Sequence, residues 1–346
     1  MIFAVESSCD ESAVALFDPS RGIVAEAVHS QATLHALYGG VVPDIAAREH
    51  LLKFPDLLRT LPDGFRPETV TSVVVTRGPG LAGCLALGIA FAKSLAFAWN
   101  RPLAGINHLR GHLWSPFLPV HAAAPATFRD DIAGLFPHLG VVVSGGNTLM
   151  TLLEADGTTR VLARTVDYAA GEAFDKGAKL LGLPYPGGAL LEKAAAAGDA
   201  SKYVFPRGIP DKSDPRLSFS GLKTSLRYRM EKMDDDTLRR ELPDLCAGYQ
   251  AAIIDQLIAK TETALRAERF RSIGLSGGVA NNRTLRDAFA RLAAKRRLPL
   301  LVAEARHTGD NAAMIAFAAW ADPSAPRPEP GAWALDFDPA LTIDRP

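Results

Sequence analysis

The chain of 346 residues lacks several features by which protein classes are recognised. Its only cysteines are Cys9, Cys84 and Cys246, and no two of them stand at the short spacing of a metal or redox motif. This usage is typical of a reducing compartment and excludes a thiolate zinc ribbon. Basic and acidic residues balance at 38 each, so the net charge does not indicate a polyanionic partner, although a local basic patch remains open.

Export and membrane signals are also missing. The first residues, "MIFAVESSCDES", contain no basic region followed by a long apolar core, as a signal peptide would. No apolar run looks long enough to span a bilayer. We therefore expect a cytoplasmic protein without a membrane partner. With 48% apolar residues, the chain is long enough to build two domains with cores of their own.

The pattern that is present is that of an α/β protein. Apolar residues 2–5 lead into a polar turn and a second apolar run, which predicts a β-hairpin. Residues 72–76 predict a buried strand, followed by a glycine turn and a largely apolar helix. The Ala- and Pro-rich stretch 119–137 is expected to be a loop and a domain boundary. A strand–turn–strand pattern then restarts at residue 139.

The second half predicts further helices. Residues 171–181 form one that ends at Gly182, and residues 242–268 form a long amphipathic one. A strand–turn–helix unit follows, in which Asn282 could cap the helix. The final helix is expected to begin at Asp310.

These elements predict two lobes and a tail. The first lobe comprises residues 1–137 with the C-terminal helix 310–322, and the second comprises residues 138–309. Residues 323–346 contain proline repeatedly, and we expect them to be irregular and loosely attached.

Three polar turns each follow an apolar strand: Ser7-Ser8, Ser144-Gly145-Gly146 and Gly277-Gly278-Val279. Glycines let backbone N–H groups approach an anion, and serines add donors. None of the three fits a Walker A loop or G-x-G-x-x-G. Each alone is most simply a tight turn. Their matching positions favour a nucleotide held in a cleft between two domains.

His108 and His112, in "NHLRGHLW", would lie on one face of a helix, near enough to share a metal ion. A bare H-x-x-x-H is more often two unrelated residues, and the cation of Arg110 opposes a metal unless it points away. Asp310 is a candidate oxygen ligand, although spacing alone does not connect it to the pair. Two imidazoles and one carboxylate suit Fe(II) or Zn(II).

One segment, which we call the basic segment, spans residues 202–229. It predicts either a solvated surface with core aromatics or phosphate contacts and stacking on RNA, and both interpretations stay open. Its cations are Lys202, Arg207, Lys212, Arg216, Lys223, Arg227 and Arg229, and its aromatics are Tyr203, Phe205, Phe219 and Tyr228.

Taken together, the motifs closely resemble one family, the tRNA adenosine threonylcarbamoyltransferases (the TsaD family), from residue 1 to about residue 320. The motifs that carry the resemblance are, in order, "ESSCDES", "HALYGGVVPDIAAREH", "RGPGLAG", "NHLRGHL", "VSGGNT", "AAGEAFDKGAKLLGLPYPGG", "FSGLKT", "GGVANNRTLR" and "GDNAAMIA".

The resemblance implies a two-domain actin/sugar-kinase-like (ASKHA) fold with a central nucleotide cleft. It implies transfer of a threonylcarbamoyl group from threonylcarbamoyl-AMP to the exocyclic amine of the adenosine beside the anticodon, in tRNAs that read ANN codons, with release of AMP. The implied cofactor is one Fe(2+) per subunit, with Zn(2+) as the alternative. The implied partners are tRNA and helper proteins similar to TsaB and TsaE.

The resemblance also implies a site, residue by residue. Glu11 matches an acidic residue near the reaction centre, and either Glu11 or Asp10 could act as general base. The metal ligands would be His108, His112 and Asp310. The adenylate-binding residues would be Val142, Val143, Ser144, Gly145, Gly146, Asp175, Gly188, Glu192 (at the ribose) and Asn282.

Three positions depart from the family pattern: Arg110 replaces an acidic residue, Asn147 replaces a histidine and Gly309 replaces a threonine. Two alternatives therefore stay open, a carbamoyltransferase for a small molecule and a non-catalytic nucleotide-binding scaffold. A metalloprotease is disfavoured, because the histidine pair lacks the adjacent glutamate of the zincins. A sugar kinase is disfavoured too, because no sugar-binding signature is present.

Overall fold

The computed structural model describes residues 1–211 and 214–346. The chain forms two compact units. Unit 1 comprises residues 1–136, 153–159 and 302–346, and unit 2 comprises residues 137–152 and 160–301. Residues 153–159 and 302–309, which the sequence assigned to the second lobe, therefore belong to the same compact unit as the N-terminus.

The described residues contain ten strands and thirteen α-helices. The strands are β1 Ile2–Glu6, β2 Glu11–Asp18, β3 Gly22–Ser30, β4 Ser72–Gly78, β5 Leu103–Asn107, β6 His138–Val143, β7 Thr148–Leu153, β8 Thr159–Arg164, β9 Ser272–Ser276 and β10 Leu300–Val302. The helices are α1 Ala32–Ala36, α2 Pro43–Arg59, α3 Ala82–Trp99, α4 His108–Trp114, α5 Leu118–Ala123, α6 Phe128–Ala133, α7 Ala170–Leu180, α8 Gly188–Ala195, α9 Ser220–Met230, α10 Asp235–Ala267, α11 Arg283–Arg296, α12 Ala305–Thr308 and α13 Ala312–Ala321.

Unit 1 is built on a five-stranded sheet with the order β3-β2-β1-β4-β5. The predicted hairpin is confirmed, because β1 pairs antiparallel with β2, with Ile2 opposite Phe17 and Val5 opposite Val14. Strands β1, β4 and β5 run parallel to one another. The carboxyl ends of these three strands therefore meet at one edge of the sheet, where open α/β sheets usually bind ligands.

The two faces of this sheet bury different side chains, as the period of two in a strand requires. Large residues of one face, such as Phe3, Val14 and Val73, form a core with residues of α2 and α3. Helix α13 packs against β1 and β2. The alternation turns the small side chains Ala4 and Ala15 to the face opposite Phe3 and Val14, so a helix there can lie close to the sheet.

Helix α3 corrects one expectation. In the part of the chain that the structure describes, Ala82–Trp99 is one helix long and apolar enough to cross a membrane, judged by length and composition. The expectation that no apolar run has this length is therefore wrong. In the structure, α3 packs against β4 and α2 and buries Leu85, Ile89 and Ala92. The core helix of a soluble protein passes the same test, so the match is weak evidence for a membrane span.

Unit 2 contains a second five-stranded sheet, with the order β10-β9-β6-β7-β8. Strands β6 and β9 pair in parallel, with Val142 opposite Ser276. Every residue of both strands is buried, which explains why apolar residues and glycine fill them between the polar ends His138, Ser272 and Ser276. The long helix α10 packs against α7, α8, α9 and α11 and contributes the buried Leu245, Tyr249 and Ile253.

Three expected boundaries differ from the observed ones. The long helix, expected over residues 242–268, already begins at Asp235. The stretch 119–137 is not a simple loop, because it contains most of α5 and all of α6, which bury Leu118, Phe128 and Ile132. The final helix begins at Ala312 and not at Asp310. Asn311 is extended and its side chain accepts a hydrogen bond from the Met314 N–H at 2.8 Å, so it is the N-cap.

The tail after Asp322 has no regular structure, as expected, but it is not loosely attached. Leu341 and Ile343 are each 2% exposed. The side-chain amide of Asn107 donates to the carbonyl oxygens of Thr342 and Arg345 at 2.8 and 2.7 Å. These contacts fix the tail on unit 1 because a buried amide without both acceptors would be destabilising.

A buried histidine in unit 2 predicts an acid-sensitive fold. His138 is fully buried, a hydrogen bond of 2.6 Å joins its Nδ1 to Ser272 Oγ, and burial lowers its pKa to about 3. The unfolded chain binds this proton near pH 6.5. Stability should therefore fall below about pH 6.5, by at most roughly 1.4 kcal/mol per pH unit from this group.

Urea unfolding of His138→Asn and of the wild type between pH 7.5 and 5 measures this contribution. We expect the variant to lose less stability on acidification, even if it is less stable at pH 7.5. His29→Asn, a change at a half-exposed histidine of β3, is the control. An unchanged pH slope in His138→Asn would contradict the prediction.

Candidate active site

The candidate metal centre lies in unit 1, at the carboxyl edge formed by β1, β4 and β5. Glu6 ends β1, Thr76 lies near the end of β4, and His108 directly follows β5. Helix α4 begins there because the Asn107 side chain accepts a hydrogen bond from the Leu109 N–H at 2.9 Å. Three strand ends thus deliver a carboxylate, a hydroxyl and an imidazole to one place.

The spacing of four places both histidines on one face of α4, as predicted. The centroids of the His108 and His112 rings are 4.7 Å apart, and both residues are buried. Gly111 lies between them, against α13. A Cβ at Gly111 would come within 2.9 Å of Ile315 Cδ1 and 3.2 Å of Met314 Cγ, so the small residue permits the close approach of α13.

This approach brings Asp310 to the histidine pair. Asp310 Oδ1 lies 3.0 Å from His112 Nε2 and 3.5 Å from His108 Nε2. One ligand atom from each of the three residues lies within 4.8 Å of the others. Two imidazoles and one carboxylate at this separation fit a divalent transition-metal ion with open coordination positions.

The charges of the group are strongly coupled. Burial alone would raise the pKa of Asp310, but the charge of His108 and the hydrogen bond from His112 outweigh it and lower the pKa to about 2. Burial would lower the pKa of His108, but the negative charges of Asp310 and Glu6 raise it to about 9. Without a metal ion, a proton on His108 therefore balances part of the buried negative charge.

Glu6 is a residue of the candidate site that was not predicted from the sequence. It is fully buried, and its Oε2 accepts a hydrogen bond from His108 Nδ1 at 3.1 Å. The same carboxylate accepts from the Ser8 N–H at 2.6 Å and from the Thr76 hydroxyl. This contact leaves His108 Nε2 for a metal, in the carboxylate–histidine arrangement common at metal sites. A glutamate ending an otherwise apolar strand was the signal available in the sequence.

Arg110 points away from the candidate metal centre, so its positive charge does not oppose a metal ion there. Its guanidinium is buried and pairs with the Asp322 carboxylate, with Nη2 to Oδ1 at 2.9 Å. It also donates to the Gly157 carbonyl oxygen at 2.6 Å, to Ser324 Oγ at 2.6 Å and to the Ile343 carbonyl oxygen at 3.1 Å. The arginine therefore fastens the tail to α4.

Asp10 lies in the turn between β1 and β2, and Glu11 begins β2, near enough to Asp310 for that charge to act on it. Burial raises the pKa of Glu11, and the negative charges of Asp10 and Asp310 raise it further. Ser30 Oγ donates to Glu11 Oε1 at 3.2 Å. Glu11 is thus a carboxyl group that retains a proton far more readily than an exposed one.

The predicted adenylate-binding residues lie in unit 2. Val142 and Val143 end β6, and Ser144, Gly145 and Gly146 form the turn after it. The backbone closes this turn, with the Ser144 N–H donating to the Asn147 carbonyl oxygen at 2.8 Å. A Cβ added at Gly145 or Gly146 would meet no atom within 4 Å, so the space above both glycines is open.

The turn after β9 lies directly beside it. Gly277 has φ +88°, and a Cβ there would lie 2.3 Å from the Val143 carbonyl oxygen. Only glycine fits that position. Two of the three predicted turns therefore lie side by side in unit 2. The third turn differs, because Ser7 Oγ donates to the Cys84 carbonyl oxygen and Ser8 Oγ lies 3.2 Å from His108 Nδ1 in unit 1.

The other residues of unit 2 that were predicted to bind the nucleotide hold the first turns of helices in place. Asp175 Oδ1 accepts from the N–H groups of Gly187 and Gly188, at 2.8 and 3.0 Å. Glu192 Oε1 accepts from the Arg283 N–H at 2.6 Å. These carboxylates hold α8 and the start of α11 in place.

Asn282 has the capping role that the sequence suggested. Its Oδ1 accepts from the Leu285 N–H at 2.9 Å, and its Nδ2 donates to Gln250 Oε1 at 2.7 Å. Both ends of the amide are thus engaged within unit 2.

The other two departures from the family pattern are compatible with the local backbone. Asn147 closes its turn through backbone atoms, with its N–H donating to Ser144 Oγ at 3.0 Å, so the turn does not depend on its side chain. A Cβ at Gly309 would meet no atom within 4 Å, and its φ of −74° is open to any residue.

Most side chains of the basic segment are either buried in the core or paired with a neighbour on the surface. Phe205 and Phe219 are buried. Lys202 pairs with Asp244, and Arg207 pairs with Asp255, each at 2.8 Å. Arg216 pairs with Asp214 at 2.6 Å, and Arg229 stacks on Tyr203 and Phe205. Lys212 lies outside the described residues. Lys223, Arg227 and Tyr228 remain for the RNA interpretation.

The hydrogen bond from His108 to Glu6 predicts weakened metal binding in Glu6→Gln. A glutamine can no longer supply the charge that orients the imidazole and makes it basic, and such changes cost roughly 10- to 100-fold in metal affinity. Competition between the protein and a chromogenic chelator for Zn(2+) measures the affinity.

His108→Ala should lose the ion and His29→Gln should keep it, since His29 lies outside the metal centre. Wild-type affinity in both Glu6→Gln and His108→Ala would contradict the assignment of this site.

Comparison with known proteins agrees with this description. The family model for tRNA N6-adenosine threonylcarbamoyltransferase (TsaD) matches residues 22–317. A relative of that name from Anaeromyxobacter dehalogenans (strain 2CP-C) is 43% identical over 320 residues, covering 92% of each chain. Another, from Burkholderia cenocepacia (strain J2315), is 42% identical over 325 residues, covering 92% of this chain and 91% of the relative.

Among solved structures, HypF from T. kodakarensis superposes with a TM-score of 0.57 at 13% identity, over 92% of this chain and 47% of that one. Full-length HypF in a phosphate- and nucleotide-bound form gives 0.57 at 11% identity, over 92% and 54%. These likenesses concern the fold alone, and they confirm the α/β fold of ASKHA type expected from the sequence. By family model and by relatives along its length, the chain belongs to the TsaD family of tRNA N6-adenosine threonylcarbamoyltransferases.

Proposed function

We propose that this chain transfers the threonylcarbamoyl group from threonylcarbamoyl-AMP to the exocyclic amine of the adenosine beside the anticodon, in tRNAs that read ANN codons, and releases AMP. The observation that carries the proposal is the group formed by the buried His108 and His112 and the partly exposed Asp310, with His108 oriented by Glu6, in a chain of the TsaD family.

The metal of this group is proposed to be Fe(2+), with Zn(2+) as the alternative, because two imidazoles and a carboxylate suit either ion. When bound, such an ion supplies Lewis-acid polarisation of the carbamoyl oxygen or an anchor for phosphate. Metal analysis of the protein purified without oxygen distinguishes the two ions.

The reaction needs positioning more than activation. The amine nitrogen attacks the carbamoyl carbon, the bond from that carbon to the phosphate oxygen breaks, and AMP leaves with the bonding electrons. One proton leaves the amine. The mixed anhydride is already activated, whereas the amine is a weak nucleophile because it is conjugated with the purine. Holding the two reactants together therefore accounts for much of the rate.

Glu11 is proposed as the residue that accepts the proton. Its pKa is raised by burial and by the charges of Asp10 and Asp310, toward the range in which a carboxylate is an effective base near neutral pH. Asp10 then acts mainly through its charge on Glu11. The proposed adenylate site comprises Val142, Val143, Ser144, Gly145, Gly146, Asp175, Gly188, Glu192 and Asn282.

The open space above Gly145 and Gly146 supports this adenylate site, since backbone N–H groups there can approach a phosphate. Asp175, Glu192 and Asn282 support the helix starts of unit 2, so their contribution is partly to hold the site in shape. Helper proteins similar to TsaB and TsaE are proposed partners, and the cytoplasm is the proposed compartment.

A transfer assay tests the proposal. The purified chain, its helper proteins, threonylcarbamoyl-AMP and unmodified tRNA are combined, and the modified nucleoside and AMP are quantified by mass spectrometry. We expect one AMP for each adenosine modified. Glu11→Gln should lower the rate by roughly 100-fold or more, since proton transfer by a positioned base contributes 10²–10⁴-fold.

His108→Ala should form no product, and Arg207→Gln, a change at a paired surface cation, should act as wild type. Absence of product from a wild-type protein that binds metal and threonylcarbamoyl-AMP would refute the function. Release of AMP with a small carbamoyl acceptor, but not with tRNA, would favour the small-molecule alternative.

Another buried histidine of unit 1 holds the segment that carries the carboxylates Asp10 and Glu11. His50, on α2, has its Nε2 2.9 Å from the Cys9 carbonyl oxygen and its Nδ1 2.6 Å from Ser12 Oγ. A carbonyl oxygen can only accept, so Nε2 carries the proton and Nδ1 accepts from the serine hydroxyl. The imidazole thus bridges the residues on either side of Asp10 and Glu11.

His50→Ala should therefore lower the turnover of transfer by roughly 10- to 100-fold, because small misplacements of reacting groups are costly. Metal content and threonylcarbamoyl-AMP affinity should stay near wild type. His50→Gln, which can still donate to the Cys9 carbonyl oxygen, should recover part of the rate. Equal turnover in His50→Ala and the wild type would contradict this positioning role.

A further inference from the structure

A groove in unit 2 is lined by two cations of the basic segment, Lys223 and Arg227, that have no close carboxylate partner among the described residues. It has a volume of about 610 Å³ and is lined by Tyr168, Ser220, Gly221, Lys223, Thr224, Ser225, Arg227 and Tyr228. All but the first of these residues lie on α9. One helix therefore supplies both cations, several hydroxyl groups and the Tyr228 ring, and Tyr168 supplies the second ring.

The pairing pattern sets Lys223 and Arg227 apart from the other cations. Lys202, Arg207 and Arg216 each contact a carboxylate at 2.8 Å or less. Lys223 has no ion pair within the described residues, and Arg227 reaches Glu231 only at 3.5 Å, with both side chains more than half exposed. An exposed pair of this kind contributes little, so both cations are available to a ligand.

The spacing of four places Lys223 and Arg227 one above the other on α9. Leu222 and Leu226, one residue before each, are buried and anchor the helix to unit 2. The helix start is also fixed, because Asp167 accepts from the Phe219 N–H at 2.8 Å. The two cations thus stand on a rigid support.

The aromatic rings of the groove are placed for stacking. Tyr228 is 54% exposed, which a core role does not explain, and the Arg227 guanidinium lies 5.1 Å from its ring centre. On the other wall, Lys176 Nζ lies 3.5 Å from the centre of the Tyr168 ring and pairs with Glu172 at 3.0 Å. Two rings and two available cations therefore share one open groove.

This lining fits single-stranded RNA better than a small ligand. Small-molecule pockets enclose most of the ligand's surface, whereas this groove is open to solvent along the exposed Gly221, Thr224 and Tyr228. Proteins that bind single strands combine cations for the backbone with aromatic rings for the bases. Hydroxyl groups such as those of Thr224 and Ser225 can contact phosphate or the 2′-OH.

We propose that the α9 groove binds the single-stranded anticodon loop of the substrate tRNA, with Lys223 and Arg227 on phosphates and a base stacked on Tyr228. The identity of the RNA rests on the proposed function, because the adenosine beside the anticodon lies in a loop. The groove is an RNA-binding surface separate from the predicted adenylate ligands.

Fluorescence anisotropy of a labelled anticodon stem-loop RNA with the full chain and its helper proteins tests the proposal. At roughly 150 mM salt, the double variant Lys223→Gln/Arg227→Gln should bind about tenfold more weakly or worse. Its slope of log affinity against log salt should shrink by roughly 1.4, because each phosphate that a cation neutralises on a single strand adds about 0.7 to the slope.

Tyr228→Ala should bind roughly 5- to 100-fold more weakly, and Tyr228→Phe should stay near wild type, because stacking needs the ring and not the hydroxyl. The matched control is Arg207→Gln/Arg216→Gln, which removes the same charge from paired cations and should change affinity less than threefold. In the transfer assay, the groove variants should raise KM for tRNA with little change in kcat.

Wild-type RNA affinity in both Lys223→Gln/Arg227→Gln and Tyr228→Ala would overturn the groove proposal. An equal loss of RNA affinity in the control Arg207→Gln/Arg216→Gln would also overturn it, because the effect would then depend on net charge alone. A wild type that forms no modified adenosine refutes the transfer function instead, and the anisotropy comparison still decides the groove. Loss of AMP binding in the groove variants, with RNA affinity unchanged, would also overturn it.

Discussion

The close approach of α13 to α4 is the constraint on which the metal centre depends. It is possible because Gly111 has no side chain where Ile315 and Met314 pack. The histidine pair alone is a local product of helix spacing, but the third ligand comes from Asp310, about two hundred residues later. Without this contact, His108 and His112 would be two buried polar residues without a shared acidic partner.

The buried charges of this region are mutually dependent. Glu6 and Asp310 are tolerated in the interior because His108 lies between them, and each stabilises the charged form of the histidine. A metal ion would replace the proton of His108 as the source of positive charge, so metal and proton compete for the same position. Burial raises the pKa of the neighbouring Glu11, and the negative charges of Asp10 and Asp310 raise it further.

Arg110 shows how a departure from a family pattern can be accommodated away from the chemistry. A cation between two metal ligands opposes a metal ion unless its side chain points away. In the structure, its side chain leaves the opposite side of α4 and meets Asp322 and the carbonyl oxygen of Gly157. The substitution at this position therefore concerns how the tail and the loop at 157 are held, and it leaves the metal ligands as they are.

Periodicity alone predicted the β1–β2 hairpin, the strands β4, β6 and β9 and the long helix α10, because these segments are continuous apolar or amphipathic runs. Periodicity did not predict the segments whose structure depends on side-chain capping or on tertiary packing. Asn311, not Asp310, starts the last helix because its side chain can close the first turn. The prolines of the tail predicted a loosely attached segment because they prevent regular structure. Leu341 and Ile343 nevertheless bury their side chains in a segment that has no helix or strand.

Local patterns of residues are enough to predict the α/β class, the glycine turns and the histidine pair, and the motifs are enough to predict the family. Those features are local, since each is set by residues within a few positions of one another. The folded chain is needed to show that Asp310 meets the histidines, that Glu6 supports His108 and that Arg110 turns away. It also separated the available cations of α9 from the paired ones. Each of these features depends on contacts between residues that are distant in the chain. The spacing of residues along the sequence does not show which distant residues come into contact in the fold.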